Sequence, residues 1–334
     1  MNSTITNDLN YLSSTSYLDI GIKNNFGIYT KNLNSLGKNS EKYKNTPQSE
    51  LMSGYMFTSS LPLIKKNLTN KSTFEPRLSF KFSPHEMKNH EESRRRVDIS
   101  NVYNFNRLGL SDSMEEGASL TIGFDYKKQK LMKKNQTIKR NKDGEKIEDY
   151  FEMKFATIIR ANEEKNIPKN SKINKKYSNI LGQINYTFSE YISLNYDFSI
   201  DNDLSTFEYN SLDAEFTYNN FSSTITFLEE NGEIGTSHIM ANTFEYSLDD
   251  KNSLKFATRR NKEINLTEYY DLIYEYKNDC LTAGIEFKKK FYSDSDIKPT
   301  EEIFFSVTIV PLGTFSPEPL VPKRVFNEDF KNIF

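Results

Sequence analysis

From residue 178 onward the chain alternates apolar and polar side chains with a period of two. In YISLNYDFSI (191–200), Ile192, Leu194, Tyr196, Phe198 and Ile200 face one way, and Ser193, Asn195, Asp197 and Ser199 face the other. Such alternation makes a strand with one apolar and one polar face. The pattern recurs in SNILGQINYTF (178–188), SLDAEFTY (211–218), FSSTITF (221–227), MANTFEY (240–246), SLKFATR (253–259), YYDLIYEY (269–276), LTAGIEFK (281–288) and IFFSVTIV (303–310), with Asn242 the one blemish in its apolar row. The first half is less regular. Strands are expected near 15–22, 25–33, 51–63, 73–82, 117–127 and 149–160. The charged or Asn-rich stretches 34–50, 83–105, 128–147 and 161–177 read as loops.

The connections sharpen the picture. Very short ones at Ser189–Glu190, Asn219–Asn220, Asp249–Lys251 and Lys277–Asp279 alternate with longer ones at 201–206, 229–236, 260–264 and 292–300. That is the rhythm of an outer-membrane barrel, with short periplasmic turns and longer external loops. Phe188, Tyr218, Phe221, Tyr246 and Tyr276 flank the short turns on the apolar face and are expected to form an interfacial aromatic girdle. A soluble antiparallel sandwich also alternates. Three features favour lipid. Many strands approach the ~9–11 residues needed to cross a bilayer. The middles of the apolar faces carry no charge. The polar faces are rich in charged and amide groups, which suits a watery lumen. The expected fold is all-β: an antiparallel up-and-down transmembrane β-barrel, partial, of roughly fifteen strands.

Composition is consistent with this. Mean hydropathy is −0.70 and no run of ~18 apolar residues exists, so no transmembrane helix is expected. The formal charge of −2 gives no reason to expect a nucleic-acid partner. The first residues, MNSTITNDLNYLSS, lack the basic and apolar regions of a signal peptide. No catalytic constellation and no phosphate-cradling Gly loop is found, so neither an enzyme nor a cofactor is expected. His85 and His90 lie among Glu86, Glu91 and Glu92, but their spacing matches no usual metal motif, and SPHEMKNHEESRRR reads as a solvated loop. SRRRVD (93–98) likewise reads as a solvated loop rather than a basic binding patch. Cys280 is the single cysteine and has no internal disulfide partner.

Specific stretches go further. SSLPL (59–63) and EPRLSF (75–80) precede NVYNFNRLGLSDSMEEGASLTIGFDY (101–126), in which Asn106, Arg107, Gly109, Asp112, Glu116, Gly117 and Gly123 resemble a motif of the LptD family, the lipopolysaccharide-assembly proteins of the bacterial outer membrane. Residues 151–201 resemble that family's central barrel, especially its alphaproteobacterial form, and TEEIFFSVTIVPLGTFSPEPLVP (300–322) its last strand and tail. The resemblance runs from about residue 50 to the end, with the blocks in the family's order. It implies a non-enzymatic translocon whose barrel has about two dozen strands, preceded by a signal peptide and a periplasmic jellyroll. The chain is therefore expected to be the C-terminal portion of a longer protein, with 1–310 in the barrel, 311–334 a periplasmic tail, and Met1 not the biological start.

The resemblance also implies roles and partners. Cys280 occupies the place of a family cysteine that pairs with the N-terminal domain, although Asp279 stands where many members have a second cysteine. The last strand, with Ile303, Phe305, Val307 and Ile309, forms one side of a lateral gate through which lipopolysaccharide reaches the outer leaflet. The implied partners are lipopolysaccharide, an LptE-type lipoprotein plug, a periplasmic lipopolysaccharide bridge protein reached through the N-terminal domain, and outer-membrane lipids. A passive porin and a soluble β-sandwich binding protein are the rival readings.

Overall fold

The computed structural model describes residues 2–38, 43–131, 147–189, 191–232, 235–292, 298–309 and 313–315. Its strands are β1 (Asn2–Leu12), β2 (Ser16–Tyr17), β3 (Lys23–Gly37), β4 (Gln48–Ser60), β5 (Leu63–Lys66), β6 (Asn70–Ser83), β7 (Gly117–Leu131), β8 (Ile147–Arg160), β9 (Ile180–Ser189), β10 (Ile192–Ile200), β11 (Phe207–Tyr218), β12 (Phe221–Gly232), β13 (Gly235–Ser247), β14 (Asn252–Asn261), β15 (Leu266–Lys277), β16 (Leu281–Lys290), β17 (Thr300–Ile309) and β18 (Gly313–Phe315). One 3-10 turn, Lys169–Ser171, is the sole helical element among the described residues. Two compact units result: Met1–Ile184 with Phe198–Glu208 and Gly232–Ile234, and Asn185–Asp197 with Tyr209–Asn231 and Gly235–Phe334.

In the first unit β3, β4, β6, β7 and β8 form an antiparallel meander. β1 and β2 pair in succession with β3, and β4 and β5 in succession with β6, so each pair is one long strand with a break. The second break falls at Leu61 and Pro62, where proline has no N–H to give the ladder. In the second unit β11 pairs with β12, and β13 through β18 pair each with the next. Every one of these pairings is antiparallel and sequential, as an up-and-down topology requires.

The two faces have the reverse of a soluble protein's burial. On β6, Phe80 is 45% exposed whereas its neighbour Lys81 is 3% exposed. On β15, Leu272 is 45% exposed and Asp271 is 3%. Leu78, Phe82 and Ile122 extend the exposed apolar face of the first unit, with Ser79, Ser119 and Thr121 buried on its other face; Phe244, Ile285 and Phe305 extend that of the second, with Lys288 buried on its other face. Large apolar side chains standing in a continuous exposed sheet face mark a surface made for something other than water.

Aromatic rings run across the strands on that outer face. Phe74, Phe124, Phe155, Phe198 and Phe207 form one chain of ring contacts in the first unit, with centroids 5.3–6.1 Å apart. Phe216, Phe221, Phe244, Phe256, Tyr270 and Phe291 form another in the second, at 5.7–6.5 Å. The second chain starts at a short turn with Phe221 and ends at the far end of β16 with Phe291. This second chain thus crosses its sheet diagonally, from one end of the strands to the other.

Several expectations need correction. The strand expected at 15–22 is only the two-residue β2, and β1, not expected, precedes it. β1 escaped notice because NSTITNDLNYL carries few apolar residues among many Asn and Thr. The expected loop 34–50 is cut back at both ends, where polar residues continue β3 to Gly37 and start β4 at Gln48. The long connection expected at 229–236 is absent: β12 runs to Gly232 and β13 starts at Gly235. Glu229 and Glu230 suggested a loop, but Glu230 is a buried residue of the polar face. Most of the loop expected at 128–147, and the tail 311–334 apart from β18, lies outside the described residues.

The largest correction concerns 83–105, read as a loop and, over 83–98, as a solvated one. Residues 84–116 instead fold back over the polar face of β3–β8. Met87, Val97, Ile99, Val102, Leu108 and Leu110 join Ile158, Leu181 and, from a second inward loop at 161–179, Ile167 and Ile173 in one buried cluster. Phe105 and Met114 join Leu33, Met52 and Met56 in another. The solvated reading holds for Arg94 and Arg95, which are exposed, but fails for the chain around them. His90, nearly buried, meets Asp112 at 3.0 Å, and His85 meets Ser53 Oγ at 3.2 Å. The apolar residues of this loop are spaced irregularly among charges, so no periodicity announces them.

Candidate functional site

The most organised polar site lies where this loop meets the inner face of the first unit. Arg107 forks onto Glu115, with Nε donating to Oε2 at 2.8 Å and Nη2 to Oε1 at 2.5 Å. Arg107 also donates to Ser119 Oγ at 2.9 Å and Thr121 Oγ1 at 3.1 Å on β7. Lys81 on β6 donates to Glu115 Oε2 at 2.8 Å and to the Phe105 carbonyl at 2.5 Å. Arg160 at the end of β8 donates to Glu115 Oε1 at 2.6 Å and to the Glu116 carbonyl. One carboxylate thus joins two strands and the loop. Burial alone would raise the Glu115 pKa; Arg107, Lys81 and Arg160 more than offset that and hold it far below the usual carboxylate range.

The other motif residues shape the loop that delivers Glu115. Asn106 closes a turn, accepting from the Leu110 amide at 3.0 Å and donating to its carbonyl at 3.1 Å. Gly109 within that turn has φ +62°, where an L side chain is strained. Asp112 accepts from Tyr43 Oη at 2.6 Å, tying the loop to the residues that lead into β4. Glu116 accepts from the Met87 amide at 2.5 Å. Gly117 has φ +79° and opens β7. Gly123 lies where a Cβ would fall 2.1 Å from the Phe155 carbonyl oxygen and 2.3 Å from Tyr103 Oη, so only glycine lets the loop's Tyr103 sit on the sheet. Phe105 stacks on Tyr29 at 3.8 Å and 5° and rests over Gly54, where a Cβ would be 2.2 Å from its ring. A cavity of about 430 Å³ remains between the loop and β1, β3 and β4, lined by Asp8, Lys31, Tyr103, Asn104 and Glu115 among others.

Asn106, Arg107, Asp112, Glu116, Gly117 and Gly123 are therefore brought together. Sequence reasoning missed Glu115, Lys81 and Arg160, which carry the charge of the site. Glu115 looked interchangeable with Glu116, and its partners lie 34 and 45 positions away, beyond any local pattern. The other expected site residues lie elsewhere. Cys280 is exposed, its amide donating to Asn278 Oδ1 at 3.0 Å in the turn before β16. Ile303, Phe305 and Val307 stand exposed on one face of β17, with Ile309 half-buried in the same row. β17 pairs with β16 along its length and with β18 at Val307–Ile309, so β18 occupies the last part of its second edge. Phe188, Tyr218, Phe221, Tyr246 and Tyr276 flank short turns; Tyr218 touches Tyr191 at 5.7 Å, and Phe188 touches Tyr186 at 4.0 Å. Among the described residues no group of His, Cys, Asp and Glu has the makings of a metal site.

A carboxyl pair, Glu164 and Glu116, joins the 161–179 loop to the 84–116 loop. Burial and the neighbouring Glu116 push the Glu164 pKa up to about 7. A carboxyl whose folded pKa exceeds its unfolded value of ~4.3 stabilises most at low pH and loses that contribution as pH rises between the two values. Protection of the 161–176 amides, each exchange rate divided by its intrinsic rate at that pH, is expected to be greater at pH 5 than at pH 8, and Glu164→Gln to abolish most of that difference. Equal pH sensitivity in the variant would refute the assignment.

The sequence model of a family described as LptD, LPS transport system D, matches residues 10–276. No curated protein matches the chain significantly. Among solved structures, the siderophore receptor PirA from Acinetobacter baumannii is similar at a TM-score of 0.42 and 8% identity, over 92% of this chain and 56% of the receptor. The chain thus spans little more than half that receptor's length. The family match runs from within β1 to the end of β15 and takes in the whole Arg107–Glu115 site, so the chain belongs to the LptD family, and its strands are those of an outer-membrane β-barrel.

Proposed function

We propose that this chain forms wall and gate strands of a translocon that inserts lipopolysaccharide into the outer leaflet of the outer membrane. The observation that carries the reading is the reversed burial of the strands: charged and hydroxyl groups inward, Phe, Leu and Ile outward. A lipid with a large saccharide head needs both environments at once. Its sugars stay hydrated along the polar face, and its acyl chains leave through a seam between strands, so no sugar crosses hydrocarbon. β17 supplies one side of that seam, with Ile303, Phe305, Val307 and Ile309 toward lipid. Because β18 occupies Val307–Ile309, the seam edge is the stretch from Thr300 to Ser306.

In this reading the long inward loops of the first unit close the external end of its strands, and the turn at 67–69 is periplasmic, following the barrel rule of short periplasmic turns. The Glu115 site fixes the first of those loops. Cys280 pairs with a cysteine of the N-terminal domain, residues 311–334 form a periplasmic tail, and Phe188, Tyr218, Phe221, Tyr246 and Tyr276 sit at the periplasmic interface. An LptE-type lipoprotein fills the lumen, and a periplasmic bridge protein delivers the lipid. A photo-crosslinking residue at Ser306, on the inner face of β17, is expected to capture lipopolysaccharide in growing cells. Absence of any lipopolysaccharide adduct there, with the protein folded in the outer membrane, would overturn the proposal.

A further inference from the structure

On the outer face of the first unit, at the end of the strands opposite the inward loops, a groove of about 500 Å³ lies across β5, β6 and β7. The register orders its side chains in two rows. Leu63 lies opposite Phe74, and Phe74 opposite Tyr126. One pleat further toward the strand ends, Lys65 lies opposite Ser72, and Ser72 opposite Lys128. Two residues along a strand span about 6.7 Å, and two inter-strand steps about 9.6 Å. The groove therefore presents an apolar floor, and beyond it a hydroxyl between two ammonium groups.

Alternation places both rows on the same face as Leu78, Phe80 and Ile122, the face read above as lipid-facing. Neither Lys65 nor Lys128 is ion-paired among the described residues. Their same-row neighbour on β8 is Phe151, so no carboxylate answers them there. A lysine facing lipid is expensive at mid-bilayer but nearly free at the interface, where its stem lies along apolar surface and its ammonium reaches the headgroups.

We infer that this groove binds an anionic glycerophospholipid, its phosphate between Lys65, Ser72 and Lys128 and the start of an acyl chain along Leu63, Phe74 and Tyr126. The inference rests on the membrane reading above. The occupant is a phospholipid because the groove lies beside the 67–69 turn, at the end read above as periplasmic, which faces the phospholipid leaflet. Juxtamembrane lysines each strengthen attraction to anionic lipid roughly fivefold, so loss of both lowers retention about 25-fold.

The test is native mass spectrometry of the purified full-length protein, released from detergent containing equimolar phosphatidylglycerol and phosphatidylethanolamine. Wild-type protein is expected to retain phosphatidylglycerol preferentially, and the double variant Lys65→Gln, Lys128→Gln to lose that preference, while Lys262→Gln, in the β14–β15 turn of the second unit, keeps it. Folding of each variant is verified beforehand by heat-modifiable migration. Equal retention of the two lipids by wild type, undiminished retention by the double variant, or displacement of phosphatidylglycerol by lipid A would each overturn the inference. Phosphatidylglycerol retention without a lipopolysaccharide adduct at Ser306 would instead sink the transport reading and leave this site standing.

Discussion

Glu115→Ala is expected to destabilise the first unit by about 3–5 kcal/mol, because it strips the counter-charge from three buried cations at once. Arg107, Arg160 and Lys81 are each 3% exposed or less. None can reach water without moving the loop, so the cost appears as release of 84–116 from the sheet. Limited proteolysis of the protein in detergent should cut between Met87 and Leu110 in the variant and spare the wild type. The barrel's heat-modifiable transition should fall by many degrees. Glu116→Gln, which keeps the carbonyl that Arg160 uses, is expected to cost far less. Because the Glu115 pKa is depressed, its contribution is present above ~4.3 and fades only as pH falls well below that. An unchanged transition in Glu115→Ala would show that the three cations find solvent or another anion.

Leu272→Arg is expected to cost about 2–4 kcal/mol in a bilayer, the penalty for a guanidinium on the lipid face near the midplane. Leu272 lies mid-strand, opposite Phe256 on β14 and Phe287 on β16, with no polar partner in that row. Ile273→Arg, one residue on, points to the polar face opposite Lys255 and Glu286 and is expected to cost under ~1 kcal/mol. Reversible unfolding from liposomes in denaturant measures both. A soluble core would reverse the ranking, since Leu272 is the more exposed of the two.

The strands of the second unit were legible because each lies between two very different media. One face must be apolar and the other polar throughout, so alternation survives from Ile192 to Ile309. Turns such as Asn219–Asn220 were legible for the same reason: Asn219 adopts φ +51°, which asparagine tolerates. The first unit was less legible because its inner face is covered by its own loops. Residues such as Leu33, Met52, Met56 and Ile158 are then buried on the face that is polar elsewhere, which blurs the alternation. The candidate site was half legible. Gly109, Gly117 and Gly123 stood out in a recognisable motif, whereas Lys81 and Arg160 are ordinary strand residues until pairing brings β6 and β8 to either side of β7. Burial of Met87 and Val97 depends wholly on long-range contacts and left no local trace.

The central claim is that the exposed apolar face meets lipid. Residues 1–334 contain no tryptophan, so an introduced one meets no background from this stretch. Leu272→Trp and Ile273→Trp, reconstituted separately into liposomes of acyl-chain-brominated phospholipid, give the most direct measurement. Strong quenching of the first and little of the second is the expected result. Equal quenching, or stronger quenching at Ile273→Trp, would contradict a lipid-facing apolar surface and with it the barrel account.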